Sequence, residues 1–267
     1  MHYFRKFVIL FFLIFVLTGC DSKNNTLVEI PDTTDIPASY NDLIDDARLG
    51  RGNAQMIFAE MYDKGEDVPR NIDKSIAWYN IIIANNSNNI DAHYNVALLH
   101  LEKKEIKKSI SMFEKAASLG DIEAANQLAE IYDNNQNFDD NYKKAFYWTK
   151  FSADKGDTFA LFNLASMYNS GKGVKLDKLK GHELNLKAEK LGKVDSMYFT
   201  GKDYYDGIIV SKNVTKAYMW IKKSINNANF GSDLKLYQER TIELKKMEKE
   251  LTPEQIAKVN KELGISK

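Results

Sequence analysis

A repeat with a period near 36 residues constrains this chain more than any other feature. Lysines of similar context recur at Lys74, Lys108, Lys144, Lys180 and Lys216, spaced by 34, 36, 36 and 36 residues. They open the segments KSIAWYN, KSISMFE, KAFYWTK, KGHELNL and KAYMWIK. Four residues after each lysine stands Trp78, Met112, Trp148, Leu184 or Trp220, so all three tryptophans share one repeat position. A second series, FAEMY, VALLH, LAEIY, LASMY and GKDYY, ends at Tyr62, His100, Tyr132, Tyr168 and Tyr205. Small and apolar residues precede each endpoint at helical spacing. Gly50, Gly120, Gly156 and Gly192 form a third series, with Asn86 at the matching place, and read as left-handed helix C-caps.

Each unit thus reads helix, turn, helix, turn. Neither helix can bury its apolar stripe alone, so neighbours must stack. The expected fold is all-α, an α-solenoid of about five helix-turn-helix repeats starting at Ala54, Ala92, Ala124, Ala160 and Ser196. The stretch SYNDLIDDARLG makes a half-repeat N-cap. At the other end, LTPEQIAKVNKELG makes a helical C-cap, with Thr252 as N-cap, Pro253 at the first helical position and Gln255 closing a capping box.

The alanine-rich first helix ending in Tyr, the G-x-G-V turn, the K-A-x-x-W second helix and A-A-x-x-G together resemble Sel-like repeats, relatives of the tetratricopeptide repeat. The likeness covers roughly residues 40–265. It departs from the pattern in unit 2, where the turn shortens from 12 residues to 8 and loses its glycine, and in unit 5, where Gly201-Lys202 replaces Leu-Ala. The resemblance implies a right-handed superhelix whose first helices line a concave, protein-binding surface, and no catalytic activity.

YNSGKGV at residues 168–174 invites a phosphate-loop reading. Such a loop follows a buried strand and ends in Lys-Ser or Lys-Thr opening a helix, and neither feature is present. Gly171 lies three residues after Tyr168 as Gly65 does after Tyr62, so SGKGV reads as the turn between paired helices.

The chain starts MHYFRKFVILFFLIFVLTGC. Arg5 and Lys6 precede an apolar run too short to span a bilayer, which takes about 20 residues, and small residues follow. That is a secretory signal peptide. Leu17-Thr18-Gly19-Cys20 resembles the bacterial lipobox, and Cys20 is the only cysteine, so residues 1–19 are expected to be removed and Cys20 acylated. In lipoproteins of enteric bacteria an Asp after that cysteine, here Asp21, favours the inner membrane. The expected location is therefore a Gram-negative membrane, facing the periplasm. Residues 20–39, polar and carrying Pro31 and Pro37, are expected to be a flexible tether; nineteen residues reach at most about 60 Å at ~3.3 Å each. Residues 40–267 are the folded part.

The 37 basic and 37 acidic residues are interspersed, and losing Arg5 and Lys6 leaves 35 against 37, a net charge of −2. Nothing there predicts a nucleic-acid partner. No G-x-S-x-G or H-E-x-x-H motif is present. His93 and His100, seven residues apart on one helix, lack a placed carboxylate or cysteine for a metal, and His182 stands by itself. The recurring tryptophans read as packing residues. Neither a cofactor nor a metal is expected.

The first helices leave two positions free. Position 4 holds Ile57, Asn95, Gln127, Asn163 and Thr200; position 7 holds Glu60, Leu98, Glu130, Ser166 and Asp203. Three residues apart, they make one stripe on stacked helices. The candidate protein-binding site is its polar part: Glu60, Asn95, Gln127, Glu130, Asn163, Ser166, Thr200 and Asp203. Three acids in the stripe favour a partner with a basic element. Two roles follow: a membrane-anchored adaptor or scaffold for an envelope complex, or an immunity protein that occludes a secreted lipase effector, as some small envelope proteins of the resembled family do.

Overall fold

The computed structural model describes residues 27–134, 140–228 and 234–265. Within them are thirteen α-helices and no strand. A single 3-10 turn at Ala38–Tyr40 leads into α1 (Asn41–Arg48). Five helix pairs follow: α2 (Gly52–Lys64) with α3 (Ile72–Asn85), α4 (Ile90–Glu102) with α5 (Ile106–Ser118), α6 (Ile122–Asn134) with α7 (Asn141–Asp154), α8 (Thr158–Ser170) with α9 (Lys178–Lys190), and α10 (Val194–Asp206) with α11 (Val214–Asn227). The end helices are α12 (Leu234–Glu248) and α13 (Pro253–Glu262). The chain divides into two compact units, residues 1–87 and 88–267.

Helix starts are set by short polar side chains that accept a hydrogen bond from an otherwise unpaired backbone N–H. Asn71, Asn89, Asp157, Asp177 and Asn213 each cap the N–H three residues on, and the Thr252–Gln255 capping box forms as expected. Helix ends use the anticipated glycines: Gly50, Gly120, Gly156 and Gly192 all have positive φ. Asn86 does not share that conformation. Its φ is −142°, because α3 runs out into extended chain there.

Paired helices meet over small residues. In the first pair, Ser75 donates from Oγ to the Ala59 carbonyl at 2.7 Å, and Phe58 lies 5.0 Å from Trp78. In the fifth, a Cβ on Gly201 would come within 2.6 Å of Ile221. The glycine is therefore the small residue that the close approach of α10 and α11 requires. Second-unit cores are apolar and repeat along the stack: Ala97, Phe113, Leu128 and Tyr132 in one cluster, Ala160, Leu161, Leu164 and Ala188 in the next, Tyr218, Ile221, Met247 and Val259 in the last.

The repeated lysines have a structural task. Lys74, Lys144 and Lys216 each place Nζ 5.1 Å from the ring centre of Tyr62, Tyr132 and Tyr204, a cation–π contact between paired helices. In the second pair His100 replaces the tyrosine, and Glu105 bridges instead: its carboxylate lies 2.7 Å from His100 Nδ1 and 3.1 Å from Lys108 Nζ. Those hydrogen bonds, Lys108 first, hold the Glu105 carboxyl below its ordinary range.

One expectation is corrected here. The tether predicted to run to Ser39 is instead docked from Leu27 onward. The Val28 N–H donates to the Arg48 carbonyl at 2.7 Å, and Ile36 is buried. Tyr62 Oη donates to Asp35 at 2.5 Å, while Lys74 Nζ lies 2.9 Å from Asp35 and 3.5 Å from Asp32. Tyr40 Oη donates to Asp67 at 2.6 Å; that hydrogen bond is the largest cause of a phenol pKa raised to about 12. Residues 20–26, Cys20 included, lie outside the described residues.

Candidate functional site

The stripe on the first helices divides according to packing. In the first unit Ile57 is exposed, and Glu60 pairs with Lys64 at 2.9 Å, one turn along α2. In the second unit Asn95 and Gln127 are half-buried, while Leu98, Glu130, Asn163 and Ser166 are exposed. These residues sit at the same two register positions of α4, α6 and α8, on the side their helices do not use for the core.

Thr200 and Asp203 do not belong with them. Thr200 is fully buried, and its Oγ1 has no hydrogen-bond partner. Asp203 turns inward, its Oδ2 2.7 Å from Nδ1 of the buried His182, which meets Tyr204 edge-on at 5.7 Å. The cause is a register slip of one. The residue equivalent to Tyr62 in α10 is Tyr204, not Tyr205. Gly207 follows Tyr204 by three as Gly65 follows Tyr62, and the Asn213 N–H donates to the Tyr204 carbonyl as the Asn71 N–H does to Tyr62. Position 4 of the fifth pair is therefore Phe199, which is 42% exposed, and position 7 is Lys202. Thr200 occupies the core position of Phe58, Val96, Leu128 and Leu164. With Lys202 paired to Glu243 at 3.0 Å, Glu130 is the one acid at these positions in the second unit. The three-acid stripe is thereby reduced. Glycine spacing, Tyr62-to-Gly65 against Tyr204-to-Gly207, carried the signal that separates the two adjacent tyrosines.

An aromatic group continues the row, which sequence reasoning missed. Phe199 lies 5.7 Å from Phe162 and 5.4 Å from Tyr198. Phe159, one helical turn before Asn163, is 65% exposed, and Lys193 Nζ stands 3.9 Å from its ring centre and 5.2 Å from that of Phe162. Lys193 pairs in turn with Asp195, which also accepts from the buried Arg240 at 2.7 Å. Burial opposes ionisation of Asp195, but Arg240 and Lys193 outweigh it and hold the carboxyl below its ordinary range.

The remaining candidates resolve into structure. In SGKGV, Gly171 and Gly173 have positive φ, and Lys172 pairs with Asp133 at 2.6 Å and lies over Tyr142 at 4.7 Å. A Cβ on Gly173 would overlap the Tyr142 carbonyl, so this turn packs on the start of α7. Trp78 is fully buried, and Trp148 packs edge-on against Tyr147 and Phe151. A shallow cleft of about 260 Å³ is lined by Asn169, Lys178, Asp203, Asp206, Ile208 and Ile209. No serine or cysteine stands there beside a base to act as a nucleophile. Among the described residues, no group of three or more His, Cys, Asp or Glu is placed to share a metal ion, and no helix is long and apolar enough to cross a membrane.

The Sel1 repeat pattern matches residues 48–87, 90–121, 122–157, 158–193 and 194–229, the five helix pairs. A protective antigen of uropathogenic Escherichia coli with an SLR fold superposes with a TM-score of 0.60 at 27% identity, over 82% of this chain and 46% of that one. A Sel1 repeat protein from Oxalobacter formigenes gives 0.53 at 25% identity, over 68% and 76%. The chitin synthase regulator SKT5 of Saccharomyces cerevisiae is 27% identical over 138 residues, 50% of this chain and 20% of the yeast protein. The chain thus spans under half the length of the Escherichia coli protein and a fifth of the yeast one. Repeats of this kind form scaffolds for protein–protein interaction and carry no catalytic family signature. With five consecutive matches covering more than half of its length, the chain belongs to the Sel1 repeat family.

Proposed function

We propose that this protein is a lipid-anchored, periplasm-facing binding module that holds a protein partner on the first-helix stripe of its second unit. One observation carries the reading. Positions 4 and 7 of α4, α6 and α8 stay out of the core, while positions 5 and 8 beside them are apolar and buried in each of the three. A face that is polar at these positions except for Leu98, and repeats in register on stacked helices, is preorganised for binding. Anchoring rests on the lipobox-like sequence ending at Cys20.

The test uses the full-length chain as bait, in detergent, against envelope extract and secreted proteins of sibling cells. A parallel bait carries Gln127→Lys, Glu130→Lys and Asn163→Lys. A partner retained by the first and lost by the second supports the stripe. Equal capture by both places binding elsewhere. An envelope component as the partner identifies an adaptor, and a secreted lipase identifies an inhibitor of it. Incorporation of labelled palmitate that is abolished by Cys20→Ser supports the anchor; incorporation unchanged by that substitution removes it.

A further inference from the structure

Three departures from the repeat pattern meet where α8, α9 and α10 come together. The first is a polar pair in the core. Two residues after the repeated lysine, the other pairs carry Ile76, Ile110, Phe146 and Tyr218; α9 carries His182, which is 3% exposed. One residue before the Tyr62 position, the other first helices bury Met61, Leu99, Ile131 and Met167; α10 carries Asp203. Ile110, Ile131, Phe146 and Met167 share one apolar cluster, whereas His182 Nδ1 meets Asp203 Oδ2 at 2.7 Å. A buried pair of this kind seldom adds stability over well-packed apolar residues. The fold alone does not account for the exchange.

The second departure makes room for an amide. Gly181 stands where the other pairs have Ser75, Ser109, Ala145 and Ala217, and a Cβ there would overlap Asn169 Oδ1. The third is in the turn after α10. Ile208 and Ile209 take the places of Glu66 and Asp67 in the first pair and of Lys172 and Gly173 in the fourth, and Ile208 is 76% exposed. Asn169, Asp203, Ile208 and Ile209 line the same cleft, together with Lys178 and Asp206. Lys178 and Asp206 are exposed, and neither makes an ion pair or hydrogen bond among the described residues. His182 holds Asp203 through Oδ2, which leaves Oδ1 without a partner among them.

We propose that this cleft binds a free α-amino acid with an aliphatic side chain. The ligand's ammonium pairs with Asp203 and Asp206, its carboxylate pairs with Lys178, and its side chain lies on Ile208 and Ile209. Asn169 supplies an amide that can donate to the carboxylate. The volume of about 260 Å³ sets the size of the occupant, since drug-sized sites take roughly 300–1,000 Å³. A peptide end carries only one of the two charges, so the cleft reads the free molecule. His182 is a positioning residue that orients Asp203. The site lies apart from the first-helix stripe and does not depend on it.

The full-length chain in detergent is titrated calorimetrically with L-leucine, L-isoleucine and L-valine. The tightest binder is then compared with its carboxamide and its desamino acid, which each lack one charge. Both should bind about ten- to a hundredfold more weakly, the scale of one lost hydrogen bond to a charged group. Lys178→Ala and Asp206→Asn, at exposed positions, should each weaken the amino acid by the same factor. The double variant His182→Ile with Asp203→Ile installs the residues that α5 and α6 use there, Ile110 and Ile131. It should melt at the same temperature or higher and lose binding, a combination that a merely structural pair does not give. If it melts early, the two surface variants decide. The proposal is overturned if none of the three amino acids gives heat at millimolar concentration, or if the carboxamide or the desamino acid binds as tightly. Undiminished binding by Lys178→Ala and Asp206→Asn overturns it as well.

Discussion

The first unit begins with an irregular strap, residues 27–37, whereas the second ends with two helices, α12 and α13. Both ends must cover a helix pair that has no further repeat to pack on, yet they do so with different chemistry. The strap buries one large side chain, Ile36, and is otherwise held by Asp32, Asp35, Lys74, Tyr62 and the Val28 N–H. The C-terminal helices bury Met247 and Val259 against Tyr218 and Ile221, with Leu244, Leu251 and Ile256 around them. One closure is mainly directional and polar; the other adds to ion pairs of its own, Arg240–Asp195 and Lys202–Glu243, a cluster whose contribution scales with apolar area removed from water. Such ends are expected to fail under different conditions.

The largest expected effect is at the apolar end. Met247→Ala leaves a void in a cluster where Met247 is 1% exposed, and should cost about 2–5 kcal/mol, seen as an earlier urea transition. A change under about 1 kcal/mol would mean that α12 is dispensable for closure. Thr200→Val acts in the opposite direction in the repeat that α12 and α13 cover. It removes the unpartnered Oγ1 from a core position and should raise stability by about 1 kcal/mol.

At the polar end, Tyr62→Phe deletes the hydrogen bond to Asp35 and should cost about 1 kcal/mol. It should appear as faster exchange of the Val28 amide, with little change in global unfolding. Equal effects on both would erase the contrast between the ends. Acid gives a gentler version. Burial opposes ionisation of Asp35, but hydrogen bonds from Tyr62 and Lys74 outweigh it; in Asp32, hydrogen bonds from Thr34 lead. Both carboxyls are held below their ordinary range, so the strap's stabilisation is complete above the unfolded value of about 3.9 and is lost as pH falls through the lower folded values. Pepsin cleavage within 27–37 should therefore rise below about pH 4 before cleavage in α12 does. The smallest effect should come from salt, which screens the partly exposed Lys74 pairs and leaves Met247 untouched.

Repeat number, helix pairing and the glycine caps were legible because they recur. A periodic signal averages over its copies, so one poor copy does not hide it. The strap was not legible for the opposite reason: Val28, Asp32, Asp35 and Ile36 have no period, and their partners Arg48, Tyr62 and Lys74 are distant in sequence. The candidate site fell between. Asn95, Gln127, Glu130, Asn163 and Ser166 follow from helical geometry, but in α10 two consecutive tyrosines offered two registers one residue apart. One residue is 100° of helix rotation, enough to exchange exposed Phe199 for buried Thr200. Phe159 and Lys193 were missed because their contact joins a helix to the turn after the next one, which no helical template encodes.

The docked strap also shortens a leash. With acyl chains at Cys20 as proposed, seven residue steps, and not nineteen, separate the anchor from the first docked residue, Leu27. Seven steps of fully extended chain reach about 25 Å, against about 60 Å for the longer tether. The first unit would then sit within one protein diameter of the lipid headgroups instead of ranging through the space above them. Anything it meets first would be moving in, or pressed against, the same plane. Acid or the Tyr62 substitution, by freeing the strap, would pay out chain and raise the whole module from the surface.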